Sequence, residues 1–210
     1  MKKYFMTRNA GIRMITAVVA ASILTFAACS DDDDNPEAPN PDEIATDLTD
    51  PVQVIEAHEK AISKKNYAAY EALLDADFEF FPLERDATDF PWMTGSSWSR
   101  DQELNIIGNM FNPAFTGQEN PVSAIEVGIT VLSQRQLPNG HTELTCTIQG
   151  RVLTAANDGW SFDTRIIFEL VSRDGFLRIG RATEVDAVRE ASSVEESSWG
   201  SIKGLYRGEG

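Results

Sequence analysis

From Val122 to about Asp186 apolar side chains return at every second position, and three turns divide the stretch into four runs. Ile125, Val127, Ile129 and Val131 alternate with Glu126, Gly128 and Thr130, and Leu144, Cys146, Ile148 and Val152 alternate with Thr145, Thr147, Gln149 and Arg151. Trp160, Phe162, Ile166, Phe168 and Leu170 form the third run, and Phe176 opens the fourth. The turns are Pro138-Asn139-Gly140, Asn157-Asp158-Gly159 and Arg173-Asp174-Gly175, built from the residue types that tolerate the backbone angles of tight reversals. Successive side chains of a strand point to opposite faces, so this pattern predicts a four-stranded antiparallel meander with one apolar face. That face has to be covered by the rest of the chain.

The cover is predicted upstream. Asp50 reads as the N-cap of a first helix, with Pro51 at its first position and Gln53 completing a capping box, and Val52, Ile55 and Ile62 fall near one side. A second helix opens at Asn66, carries Tyr67, Tyr70, Leu73 and Leu74 at three- and four-residue spacing, and closes at Asp75 and Asp77. Phe78 to Phe81 read as a short strand stopped by Pro82, followed by a loop. Ser99 and Gln102 box the start of a third helix whose apolar stripe is Leu104, Ile107, Met110 and Phe111. At the far end, Ser198 can cap a short helix with Trp199, Ile202 and Leu205 on its apolar side and Lys203 and Arg207 toward its C-terminus, where positive charge is favoured.

The N-terminus has a different character. Lys2, Lys3, Arg8 and Arg13 precede an uncharged stretch from Met14 to Ala28, which is the layout of a secretory signal and too short for a membrane-spanning helix. The stretch ends in Phe26-Ala27-Ala28-Cys29, which resembles a lipobox and makes Cys29 the expected lipidated first residue of the mature protein; the alternative is an ordinary signal with an incidental cysteine. Residues 29–49, with Asp31 to Asp34 at their head and little apolar content, read as a disordered acidic tether, and residues 50–210 as one domain. The aspartate run is either a solvated linker or a surface-export signal. These features predict an outer-membrane lipoprotein of the cell envelope, held to the bilayer through acylated Cys29 and open to display on the surface.

Without its first 28 residues the chain has 14 lysines and arginines against 33 acids, which argues against nucleic acid as a partner. Cys146, the only other cysteine, reads as a small buried hydrophobe.

The order helix, helix, strand, helix and four strands is similar to that of the NTF2-like (SnoaL-like) superfamily. Three segments look like its small bacterial lipoprotein members: Asn66 to Leu74 running into Asp77-Phe78-Glu79-Phe80, then Phe176-Leu177-Arg178-Ile179-Gly180-Arg181, then Trp199 to Arg207. The resemblance implies an α+β cone, in which three N-terminal helices pack on a strongly curved antiparallel sheet, here followed by a short C-terminal helix. It also implies a cavity at the open end, used by some members for acid/base catalysis and by others for binding without chemistry.

No residue reads as catalytic. His58 lies beside Glu56, Glu59 and Lys60, His141 follows a turn, and both read as surface residues. No metal spacing, P-loop, dinucleotide fingerprint or nucleophile elbow occurs, so no cofactor or metal is expected. Polar residues in phase with the inward positions are the candidates for ligand contact. Arg181 follows Leu177 and Ile179, where it would grip a ligand carboxylate or pair with Glu184 or a neighbouring acid, and Thr164 lies inside the fourth strand's phase. Tyr70, Phe80, Trp92, Trp98 and Phe111 would line a pocket for an apolar ligand or serve as core. Phe90-Pro91-Trp92-Met93 is expected to fold back over the cavity mouth or to mark a contact surface.

The favoured expectation is a tethered, non-catalytic domain that binds a small ligand or a partner in its cone. The alternatives are an isomerase, dehydratase or cyclase, and an assembly subunit that forms a homodimer through its sheet. Cys29→Ser should yield the same domain released from membranes; cell fractionation checks this, and a variant that stays in the membrane fraction would end the lipoprotein expectation.

Overall fold

The computed structural model describes residues 43–87, 90, 92–93, 95–117, 119–156, 158–186 and 197–207. The signal stretch, Cys29 and Asp31 to Asp34 lie outside the described residues.

Helix α1 (Pro51–Ser63) begins as its sequence dictates, with the Asp50 carboxylate accepting from the amides of Val52 and Gln53. Its buried stripe is Val54, Ile55, Ala57, His58, Ala61 and Ile62, while Val52 is exposed. Asn66 caps α2 (Tyr67–Leu73) by accepting from the Ala69 amide. The chain then enters β1 (Leu74–Phe81) four residues before the run of phenylalanines. Asp75 therefore belongs to a strand and not to a helix end, and it is buried against Arg173, whose Nε donates to it at 2.7 Å. That bond holds the Asp75 carboxyl below the usual range. A short helix, α3 (Glu84–Ala87), and a two-residue strand, β2 (Trp98–Ser99), lead to α4 (Arg100–Phe111), where Ser99 and Gln102 form the expected capping box.

The alternating region forms β3 (Val122–Gln136), β4 (Thr142–Thr154), β5 (Gly159–Arg173) and β6 (Phe176–Val185). Within the described residues the strands make one curved sheet in the order β2-β1-β6-β5-β4-β3. Every pair is antiparallel except β1 with β6, which run parallel. The first strand thus joins the edge of the meander that its last strand leaves open. On β4, Leu144, Cys146, Ile148 and Val152 are all buried, and burial pushes the Cys146 thiol up to about 12, so it behaves as a hydrophobe.

One register detail changes which residues face inward. On the β5–β6 ladder Glu169 stands opposite Arg181 but Leu170 stands opposite Ile179, which leaves Gly180 as the extra residue of a bulge. A Cβ on Gly180 would lie 2.8 Å from Val171 Cγ1, so glycine suits the place. Since side chains alternate, the extra residue flips everything after it. Ile179, Ala182 and Glu184 point inward, and Arg181 does not.

The domain also begins earlier than the helix signal at Asp50. Ile44 is buried in the core, Leu177 donates its amide to the Leu48 carbonyl at 2.7 Å, and Arg178 donates to the carbonyl of Thr46 at 2.8 Å. Residues 44–48 are therefore docked along β6 and are not part of a free tether.

The last described element is α5 (Trp199–Gly204), capped by Ser198, which accepts from the Ser201 amide. Trp199, Ile202, Lys203 and Tyr206 are buried, and Leu205 is only half-buried. Asn109 of α4 donates to the Tyr206 carbonyl at 2.9 Å, and the Phe90 ring lies so close to Gly204 that a Cβ there would come within 2.1 Å of it. Phe90 thus folds into the core, with Trp92 and Met93 packed against it. Trp199→Ala should cost about 3–5 kcal/mol, as for other fully buried large side chains. Thermal melting against wild type checks this; an unchanged midpoint would mean α5 contributes nothing to the core.

Candidate functional site

The centre of the cone holds a carboxylate and an ammonium with almost no water contact. Glu103, from the first turn of α4, and Lys203, from α5, are 0% and 1% exposed. Lys203 Nζ donates to both Glu103 oxygens at 2.9 Å. Trp98 Nε1 donates to Oε2 at 2.6 Å, and the Tyr70 hydroxyl donates to Oε1. The carboxylate is thereby held by three residues from α2, β2 and α5. Aromatic rings wall the ammonium: Nζ is 3.3 Å from the centroid of Phe80, 5.0 Å from Trp98 and 5.8 Å from Trp199. Phe80 and Trp98 are themselves stacked, 4.5 Å apart and 18° from parallel.

Two more titratable groups border this cluster. His58 is buried between Tyr70, at 5.1 Å, and Phe168, at 5.5 Å between ring centroids. Burial, with the Lys203 charge nearby, lowers its pKa to about 3, so the ring is neutral. Its Nδ1 has no hydrogen-bond partner among the described residues. Glu184 of β6 accepts from the Gly200 amide at 3.0 Å, while its other oxygen has no partner among the described residues. Burial pushes its pKa up to about 7, against the opposing pull of Lys203, Gly200 and Thr164. Burial raises the Tyr70 pKa, with Glu103 adding to it, and lowers that of Lys203 against the pull of Glu103.

A small cavity remains between His58, Tyr70, Phe80, Glu103, Trp199 and Lys203. It has room for about one water molecule.

The sequence candidates divide accordingly. Tyr70 and Phe80 line the cavity, and Trp98 binds Glu103 directly. Phe111 meets the edge of Tyr70 at 6.2 Å, Thr164 is buried beside Glu184, and Trp92 leans on Trp98 at 5.6 Å with the Arg207 guanidinium 4.5 Å above its ring. Arg181 lies on the outer face, 3.7 Å from Glu79 and 5.0 Å from the Phe81 ring, so the expectation that it enters the cavity is corrected by the Gly180 bulge. The expectation of a surface His58 is corrected too: it occupies the α1 stripe four residues after Val54 and three before Ala61. His141 does sit in its turn, paired with Glu169 at 2.6 Å. Glu103, Lys203 and Glu184 were not anticipated, although Glu103 precedes Ile106, Ile107 and Met110 at helical spacing and Lys203 stands four residues after Trp199. Among the described residues no three metal-ligating side chains converge.

The Glu184 and His58 shifts act on stability in opposite directions over overlapping pH ranges. Glu184 ionises near 4.5 when unfolded and about 7 when folded, so stability falls as pH rises between those values. His58 takes a proton near 6.5 when unfolded and about 3 when folded, so stability falls as pH drops below 6.5. Glu184→Gln should therefore melt above wild type at pH 8, with the advantage shrinking toward pH 5. Melting curves across that range check it, and a pH-independent offset would contradict it.

The sequence matches no family model and no curated protein. Solved structures do match. A Novosphingobium aromaticivorans protein described as a candidate aromatic ring hydroxylase shares 13% identity, with 67% of this chain and 88% of that one covered at a TM-score of 0.50. A candidate scytalone dehydratase from the same organism shares 10%, covering 70% and 88% at 0.49. An NTF-2-like protein of unknown function from Shewanella oneidensis shares 12%, covering 64% and 95% at 0.44. Identities this low speak for fold alone, and the fold of the described chain is the NTF2-like α+β cone.

Proposed function

We propose that the protein is a membrane-tethered, non-catalytic binding domain that recognises a small ligand at the centre of its cone. The observation that supports this is the state of the Glu103 cluster: its acceptors are filled by donors of the chain itself, so none is open to act as a base, and a ligand enters the one-water space beside it only by displacing one of those donors. Catalysis by proton transfer needs a base within hydrogen-bond reach of a substrate atom. Glu184, whose raised pKa would suit a base, is turned to the Gly200 amide and is not among the residues lining the cavity. His58 does face the cavity, but as a neutral ring with an open acceptor or donor, a recognition group for a ligand hydroxyl or amine. Names of proteins with this fold include a dehydratase and a hydroxylase, and a shared fold does not carry chemistry with it.

The assembly alternative has less to stand on. The well-exposed large hydrophobic residues among those described are Val52, Tyr67 and Leu132, which lie on α1, α2 and the β3 edge and form no common patch on the sheet.

A thermal-shift screen of the full chain should find compounds that raise the midpoint in proportion to their occupancy and are recovered chemically unchanged. A hit that is turned over would establish the enzyme alternative. A midpoint that responds only to protein concentration would favour the assembly subunit.

A further inference from the structure

The environment of Lys203 is that of a ligand more than of a core residue. An unbranched stem ends in an ammonium that touches one carboxylate through both oxygens and three aromatic rings through their faces or edges. Ring faces carry negative potential, so a cation within about 6 Å of a centroid is attracted, and the attraction grows when water is excluded. Trp98 and Tyr70, which hold the carboxylate in place, are fixed independently of Lys203: Trp98 by its stack on Phe80, and Tyr70 by contacts with His58 and Phe111. The lysine and the Trp199 ring both come from α5. The cage would keep its carboxylate and two of its three rings without it.

We propose that the centre of the cone is a binding site for a primary alkylammonium, and that Lys203 is its occupant supplied by the chain itself. This rests on the reading of the cone as a binding site and names the class of ligand. The geometry selects the class. An anion would meet Glu103. A quaternary ammonium has no N–H to give the two oxygens that Lys203 now satisfies. A guanidinium brings five donors, and beyond Glu103, His58 and Tyr70 the walls are apolar, Phe78, Phe80, Ile166 and Phe168, which leaves too few acceptors to receive them all. A primary ammonium has three N–H groups, two for Glu103 and one for the face of Phe80, whose centroid lies 3.3 Å from the Lys203 nitrogen. The acid-rich chain also raises the local concentration of cations. Because Lys203 is covalently attached, it competes at high effective concentration, and an external amine should bind wild type weakly.

The test removes the internal occupant. Lys203→Ala deletes three carbons and the nitrogen, which n-propylammonium replaces atom for atom. Thermal melting and tryptophan fluorescence of the full-length variant would be followed in n-propylammonium, with n-propanol and tetramethylammonium as controls. At about a hundredfold excess over Kd the variant's midpoint should rise by roughly 5–10 °C in n-propylammonium alone, with a much smaller rise for wild type. The rise should vanish in Glu103→Gln combined with Lys203→Ala. If Lys203→Ala does not fold unaided, recovery of its near-ultraviolet signal is read instead, and n-propylammonium should restore it where n-propanol does not. Equal effects of n-propylammonium and n-propanol, or equal shifts of variant and wild type, would overturn the assignment. A neutral or anionic compound that stabilises Lys203→Ala more than n-propylammonium does would overturn it while leaving the binding function in place.

Discussion

Glu103 and Lys203 meet in the interior from positions one hundred residues apart, and each offsets part of the cost of burying the other. Moving a single charge into a dry interior carries a penalty of several kcal/mol even after relaxation, and mutual attraction offsets it only when geometry is close and other donors complete the shell. Trp98 and Tyr70 complete that shell. Removing one partner from such a pair typically costs about 3–5 kcal/mol, because the survivor is left buried and charged. The docking of α5, the orientation of α4 and the positions of β2 and α2 are all tied to one carboxylate.

That arrangement explains why the titratable groups around it take the states they do. Burial disfavours a positive charge on His58, and the ammonium already present adds to it. Glu184 gains some relief from the same ammonium, yet burial outweighs it and the carboxyl holds its proton to about pH 7. The cone interior is thus one ion pair flanked by a neutral imidazole and by a carboxyl that gives up its proton only around pH 7. Such polar clusters specify one packing when every member is satisfied, and here the open atoms on His58 and Glu184 mark where satisfaction stops.

Much of the fold was legible because its signals are local. The period of two in β3 to β6, the Asx-Gly turns, and the caps at Asp50, Asn66, Ser99 and Ser198 each depend on neighbours in sequence, and each stands where the pattern put it. The site was less legible because it is made by long-range pairing. Lys203 was assigned to the helix dipole, since a lysine near a helix C-terminus usually faces water; its spacing with Trp199, Ile202 and Tyr206 is what placed it inside. His58 reads as a surface residue for the same reason, among charged neighbours, and Glu103 carries no sequence signal of its own, although both sit on the buried stripes of their helices. Arg181 failed for another reason: an alternating pattern carries no mark of a bulge except a glycine, and Gly180 was taken as an ordinary strand residue. The docked segment at Ile44 to Leu48 has too few apolar residues to announce itself.

The Gly180 bulge works as a phase inverter for the electrostatics of the cone. Upstream of it β6 offers Ile179 to the interior; downstream, the same strand offers Ala182 and Glu184 inward and Arg181 outward. Strict alternation would have done the reverse, setting a guanidinium in the interior and leaving the carboxyl in water. One added residue therefore decides whether this end of β6 turns a carboxyl or a guanidinium toward the interior.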